Sequence, residues 1–381
     1  MSVEIRASHY IMRYRCNWEE MTDKQRMDNC NKLNNRMKYI FGVFSFLFLS
    51  HFAFAGTIYL SVSGNDVTGN GSTGRPYATL SKASTEASNG DVIYFTSGTY
   101  YDSLKSFIPV GLSIDGAGRD LVTIYSTYIK NLNSYDDWIN LNSSTENTNG
   151  NQFIRNVTFD GSNTSCVRGI IITARGNVAI YNCRIQNFKL AGAYWRGSLH
   201  GYGHEPKNYA VGNTFYNNIV DNCSTRMYPD STKGGSGGGL LWVSGQQDMR
   251  IHDNLLSDTS RPAGRNGNII FSVEGNLKGL KYYNNKSWSD PNVSTVSPSP
   301  WNIALEFWNC RGGMEFYNNE FFGGAPIDQG GNLQIKGDYA YSFWIHDNLF
   351  MRNKQVTTRR RRDDGAWTAE GVVNDAIYER N

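Results

Sequence analysis

Two glutamates stand in short blocks that alternate apolar and polar residues: Glu274 in Phe271-Ser272-Val273-Glu274 and Glu306 in Leu305-Glu306-Phe307-Trp308. Carboxylates about 5–5.5 Å apart suit a retaining attack on a glycosidic bond, and about 6.5–9.5 Å apart an inverting one. A third block, Leu333-Gln334-Ile335-Lys336, adds the polar Gln334 and a Lys336 that can hold a carboxylate or act as a base. Trp308 offers an apolar face for a sugar ring. Aligned with Leu240-Leu241-Trp242-Val243, the first and third members of each block are expected to face a core and the second and fourth to face out. Glu274 and Glu306 then become diagonal neighbours, about 7–8 Å apart. The plain alternative is a solvated face with weak surface pairs. A slip of one residue would bury the same side chains.

A second group lies between Ala193 and Asn208: Tyr194, Trp195, Arg196, His200, Tyr202, His204, Glu205 and Lys207. β-Elimination needs a cation at the substrate carboxylate and a base at the neighbouring C–H. Arg196 and Lys207 fit the first role and His200 or His204 the second, with Tyr202 as a binding contact. Arg261 and Arg265 precede the Glu274 block and extend the same wall. The plain alternative is a polar loop with exposed histidines. The run Arg359–Arg362 reads as a solvated loop. Between Gly64 and Gly71, Asp66 is the one carboxylate, so calcium has little to rest on. No zinc-type spacing occurs, no metal ligand is assigned, and the cofactor is unknown.

A repeat must position these residues. Asn156, Asn218, Asn254, Asn285, Asn319, Asn348 and Asn381, with Cys183 in the same slot, recur at intervals of 27 to 36 residues. Three residues before each rung stands Phe153, Ile180, Phe215, Ile251, Tyr282, Phe316, Ile345 or Tyr378. Two residues after it come Ile185, Val220, Leu256, Phe321 and Phe350. These blocks are short and rich in β-branched and aromatic residues, which reads as strands joined by turns. An Asn in the turn takes the left-handed region and bonds nearby backbone through its amide.

The ladder resembles that of the right-handed parallel β-helix, pectin-lyase-like superfamily. Ile58-Tyr59-Leu60-Ser61-Val62-Ser63-Gly64-Asn65-Asp66, Gly90-Asp91-Val92-Ile93-Tyr94-Phe95 and Gly98-Thr99-Tyr100 look like the opening cap and first coil of secreted members. The resemblance implies an all-β, single-stranded right-handed parallel β-helix. It also implies a polysaccharide partner. The calcium-binding Asp cluster of pectate lyases and the paired-Asp motifs of polygalacturonases do not stand out, so no catalytic residue is carried over. Fold alone does not give function.

Residues 37–55 combine a basic start, an apolar core and Ala53-Phe54-Ala55, the pattern of a secretory signal peptide. Residues 1–36 read as an upstream extension and 56–381 as the β-helix domain. The expected location is secreted, periplasmic or cell-surface, as a monomer without stable membrane insertion. Asn381 is itself a rung, so the ladder predicts further coils beyond it. The net charge of +3 gives no nucleic-acid signature. Four cysteines follow the leader (Cys166, Cys183, Cys223, Cys310); they allow three disulfide pairings or buried free thiols. Three functions stay open: a lyase on an acidic polysaccharide, taken first; a glycoside hydrolase using Glu274 and Glu306; and a non-catalytic carbohydrate-binding or surface β-helix.

Overall fold

The computed structural model describes residues 55–128, 136–162, 168–200, 205–223, 239–258, 268–272, 275–289, 303–322, 325–330, 340–351 and 377–380, and Thr22 before them. The chain divides into Met1–Phe54 and Ala55–Asn381, and only the second unit is described below. The expected extension and signal peptide lie outside the described residues, apart from Thr22 and Ala55. Among the described residues no helix is long and apolar enough to cross a membrane.

One coil shows how sequence becomes fold. Arg168–Thr173, Arg175–Tyr181 and Arg184–Gln186 are successive strands, and Ala191–Arg196 then pairs in parallel with the first of them. Each strand therefore bonds to its counterpart one coil away. Repetition builds three parallel sheets: sheet 1 with eight strands, sheet 2 with eleven and sheet 3 with nine among the described residues. The molecule is a right-handed parallel β-helix.

The turn from sheet 2 to sheet 3 is two residues long, and its first residue is left-handed on every coil from Asn156 onward. Asn156, Asn182, Asn217, Asp253, Asn284, Asn318, Asp347 and Arg380 have φ between 48° and 61°. Asn and Asp tolerate that region better than other side chains. The second turn residue points inward. The backbone N–H of Asn218 donates to Asn254 Oδ1 at 2.9 Å, Asn254 to Asn285 Oδ1 at 3.0 Å, Asn285 to Asn319 Oδ1 at 2.9 Å and Asn319 to Asn348 Oδ1 at 3.0 Å. Each amide Nδ2 then donates to a carbonyl of the coil behind, as Asn254 does to Phe215 and Asn285 to Ile251. These buried turns would otherwise leave donors unmet.

Register corrects the first rung. Tyr181 pairs with Arg155 and Arg184 with Thr158, so Val157 fills the slot of Cys183, and Asn156 aligns with Asn182. The same slip of one residue puts Ile154 in the core column and turns Phe153 outward. The column runs Ile93, Ile114, Ile154, Ile180, Phe215, Ile251, Tyr282, Phe316, Ile345, all buried. Sheet 3 adds Phe159, Ile185, Val220, Leu256 and Phe321. Cys183, Cys223 and Cys310 are buried, with no disulfide among the described residues; Cys166 lies outside the described residues.

At the N-terminal end the helix Leu80–Glu86 packs Leu80 and Ala83 into the core. Asp66 serves its start: Oδ1 accepts the N–H of Ala78 at 2.8 Å and of Thr79 at 3.2 Å, and Oδ2 accepts the Thr79 hydroxyl at 2.7 Å. Both oxygens that a calcium ion would use thus bind protein donors.

Candidate functional site

One row of Cα partners crosses the strands of sheet 1. Phe107, Asn140, Ile171, Tyr194, Trp242, Phe271, Glu306 and Asp328 are Cα partners on successive strands. Alternation explains the assignment: Leu241, Val243, Leu305 and Phe307 belong to the main core, so Trp242 and Glu306 between them point the other way. Trp242 was expected in the core. It belongs instead to a separate apolar cluster with Ile171, Leu190, Ala191 and Tyr194. Arg168 lies 5.0 Å from the Tyr194 ring and 5.6 Å from Trp242, and pairs with Asp137 through Nε–Oδ1 at 2.6 Å. This cluster is 3–6% exposed or less, so the middle of the row is closed.

Glu306 stands at the C-terminal end of that row on the strand Ile303–Trp308, and is 6% exposed. The Trp308 indole N–H, two residues on and on the same side, donates to its Oε1 at 2.8 Å. The expected neighbours differ, however. Glu306 pairs with Phe271, one residue from the alignment read in the sequence, and on its other side with Asp328 rather than Gln334. The strand beside Ile303–Trp308 is Ala325–Gly330, and apolar character at Leu333 and Ile335 suggested the wrong segment. The Glu274–Glu306 diagonal rested on the slipped alignment. Glu274, Gln334 and Lys336 themselves lie outside the described residues.

The insertion after Ala193 is docked at two points. Glu146 Oε1 accepts the Leu199 N–H at 3.1 Å and the Ser198 hydroxyl at 3.3 Å, and Oε2 accepts the Asn208 N–H at 3.0 Å. Burial works against the Glu146 charge, but the N–H groups of Asn208, Leu199 and Lys207 outweigh it and hold the carboxyl below its usual range. The second point is Glu205. Its Oε2 accepts Arg311 Nη2 at 3.2 Å, and its Oε1 accepts the Tyr209 hydroxyl at 2.7 Å. Arg311 also donates to Asn276 Oδ1 at 2.8 Å and to the Asn309 carbonyl at 3.0 Å.

This ion pair has a geometric consequence. Arg196 and Glu306 sit on strands three apart in sheet 1, about 14 Å at ~4.8 Å per strand. Arg311 follows the Glu306 strand, so Glu205 carries the insertion along the helix axis to the coil that holds Glu306. Arg196 donates to the His200 carbonyl at 2.7 Å, and His200 and Lys207 are exposed. Tyr202, His204, Arg261, Arg265 and Arg359–Arg362 lie outside the described residues. Glu205 was read as part of the insertion, but its partner Arg311 and the anchor Glu146 gave no signal in the sequence, because these contacts span 50 or more positions. Among the described residues no cluster of His, Cys, Asp and Glu has the makings of a metal site.

No protein-family model and no curated protein sequence matches the chain. Solved structures resemble it in three dimensions. An alginate lyase from Paenibacillus sp. str. FPU-7 is 12% identical over 86% of this chain and 98% of its own, with a TM-score of 0.45. A pectin methylesterase from carrot is 13% identical over 84% and 87%, with a TM-score of 0.42. A GH136 lacto-N-biosidase from Eubacterium ramulus is 12% identical over 93% and 72%, with a TM-score of 0.39. At such identities and scores the likeness concerns architecture alone, which the strand pairing establishes by itself.

Proposed function

We propose that this chain is an exported, monomeric enzyme that hydrolyses a polysaccharide at the Glu306 end of sheet 1. One observation carries the reading: Glu306, nearly buried and bonded by Trp308, has Asp328 as its Cα partner on the next strand. The backbones of these two acidic residues are one strand apart, ~4.8 Å, and the retaining mechanism uses two carboxyls ~5–5.5 Å apart. In that mechanism the Glu306 carboxylate attacks the anomeric carbon. Asp328 protonates the departing glycosidic oxygen. Asp328 then takes a proton from water, which breaks the glycosyl–Glu306 ester and restores both groups.

A second reading is β-elimination on an acidic polysaccharide. It draws on His200 and Lys207, which are exposed and stand beside the residues anchored by Glu146. Elimination needs a cation to spare for the substrate carboxylate. Arg168, Arg196 and Arg311 spend donors on protein acceptors, which leaves exposed Lys207 for that role; hydrolysis is taken first on the Glu306–Asp328 pairing. A panel of neutral and acidic polysaccharides would be read both by reducing ends and by ultraviolet absorbance of unsaturated ends. Hydrolysis gives the first without the second, and elimination gives both. Binding with neither signal would leave a carbohydrate-binding β-helix and reject the enzyme.

A further inference from the structure

The outward side of sheet 2 carries an aromatic column beside the left-handed turn residues. Tyr181, Tyr216, His252, Tyr283, Tyr317 and His346 follow one another in register on six coils. Consecutive ring centroids lie 4.7, 5.0, 4.6, 4.8 and 5.2 Å apart, and interplanar angles are 3° to 5°. The strand spacing of ~4.8 Å sets this stack. Because ring faces cover each other, the column has few faces left for sugar rings; its edges reach solvent, and all four tyrosines are half-buried. Two of the contacts are tyrosine on tyrosine, and His252 separates them.

We propose that Tyr181–Tyr216 and Tyr283–Tyr317 are sites of oxidative dityrosine formation, each stapling one coil to the next. The oxidant is a peroxide acting through a haem peroxidase. Each phenol gives up one electron from its ring and one proton from its oxygen to become a phenoxyl radical. Two stacked radicals then form one carbon–carbon bond between their ortho positions. The two ortho hydrogens leave as protons and two protons return to the oxygens, so both phenols are restored. Overall the pair loses two hydrogen atoms and one peroxide becomes two waters.

Geometry supplies what coupling needs. The partners are held face to face on adjacent strands, so the second radical meets the first without diffusion. The phenols of Tyr216, Tyr283 and Tyr317 are held protonated by burial, which raises each above the usual tyrosine range. Tyr181 accepts Arg155 Nη1 at 2.8 Å, which fixes its ring. An imidazole cannot complete this phenol coupling, so His252 limits the column to two links. A useful internal comparison is Tyr101–Tyr125 on sheet 3, stacked more loosely at 5.5 Å and 17°, with Tyr101 66% exposed.

The full chain would be oxidised with peroxide and a haem peroxidase, and in parallel with tris(bipyridine)ruthenium(II), persulfate and visible light. Dityrosine fluorescence and peptide mass spectrometry then locate the links. Expected are two intramolecular cross-links, each lighter by two hydrogens, joining Tyr181 to Tyr216 and Tyr283 to Tyr317. Tyr216→Phe removes the first alone and Tyr283→Phe the second alone. Phenylalanine keeps the stack, and circular dichroism confirms the fold. The unfolding midpoint of the cross-linked protein shifts upward. Links found mainly at Tyr101–Tyr125, or between unstacked tyrosines, would show that exposure governs reactivity and overturn the proposal.

Discussion

At the residue scale the decisive groups are carboxylates whose partners differ. Glu306 receives an indole N–H and points away from the main core that holds Leu305 and Phe307. Glu306→Gln keeps the shape and removes the charge, so turnover should fall by about 10²–10⁴ while thermal unfolding stays where it was. Full activity in that variant rejects the site. Trp308→Phe keeps the bulk and loses the donor. Turnover should fall because the carboxylate loses the contact that positions it, and an unchanged kcat would deny Trp308 that role. Glu146 makes a different prediction, because its folded value is depressed. Its contribution is complete above the ordinary glutamate range and lost as pH falls through the folded value. Proteolysis between Leu199 and Asn208 should accelerate in acid, and Glu146→Gln should show the faster cleavage already at neutral pH; equal rates there would contradict the anchoring role. The sequence made Glu306 and Trp308 legible through alternation within one block. It hid Asp328, because turn lengths vary between coils and the decoy Leu333-Gln334-Ile335-Lys336 has the same pattern.

Elements in this fold are too short to stand alone. The strand Thr214–Tyr216 has three residues and Ile219–Asp221 three, so each owes its stability to the coils on either side. The Asn column is where coils are locked, since one amide serves two neighbours. Asn285 accepts the Asn254 N–H through Oδ1 and donates to the Ile251 carbonyl and to Asn319 Oδ1. Asn285→Ala should therefore cost about 2–4 kcal/mol, because buried groups on both sides lose their partners. Asn284→Ala, in the adjacent exposed left-handed slot, should cost less, about 1 kcal/mol for the backbone conformation. Denaturant melts of both variants check the order, and an equal loss would deny the inner amide its special place. This element was legible from Asn218 onward because chemistry repeats there. It was misread by one residue at Asn156, where the inner slot holds Val157 and the outer Asn is the only asparagine on offer. Glu205 and Arg311 belong to this scale too. Glu205→Gln breaks the ion pair that docks the insertion, and should raise KM more than it lowers kcat.

On the scale of the whole molecule, a stack of coils is as stable as its ends allow, since interior coils have two neighbours and end coils one. The N-terminal end is closed by the helix Leu80–Glu86, and beneath it lies Asp102, 2% exposed and inward-facing on the strand Gly98–Asp102. Its Oδ1 accepts the Leu104 N–H at 3.1 Å, Oδ2 has no partner within hydrogen-bond distance among the described residues, and the backbone of Ser81 and Leu80 lies near enough to oppose the effect of burial. Burial pushes this carboxyl up to about 6; the Leu104 N–H opposes the rise and the nearby Asp66 charge adds to it. The sign follows from proton counting. Between the ordinary aspartate range and pH 6 the folded chain keeps a proton that the unfolded chain has released, so stability declines as pH rises through that window. A rise from 3.8 to about 6 corresponds to about 3 kcal/mol in all. Asp102→Asn preserves shape and cannot ionise. Its unfolding midpoint should stay level between pH 4 and pH 7, where the wild-type midpoint falls, and should exceed the wild type at pH 8. Hydrogen exchange should place the difference in the first coils, around Ile93, Ile114 and Ile124, because the strain of a buried charge is felt where neighbours are fewest. Parallel midpoints for the two proteins across that range would mean that Asp102 keeps an ordinary acidity and that the cap is indifferent to it.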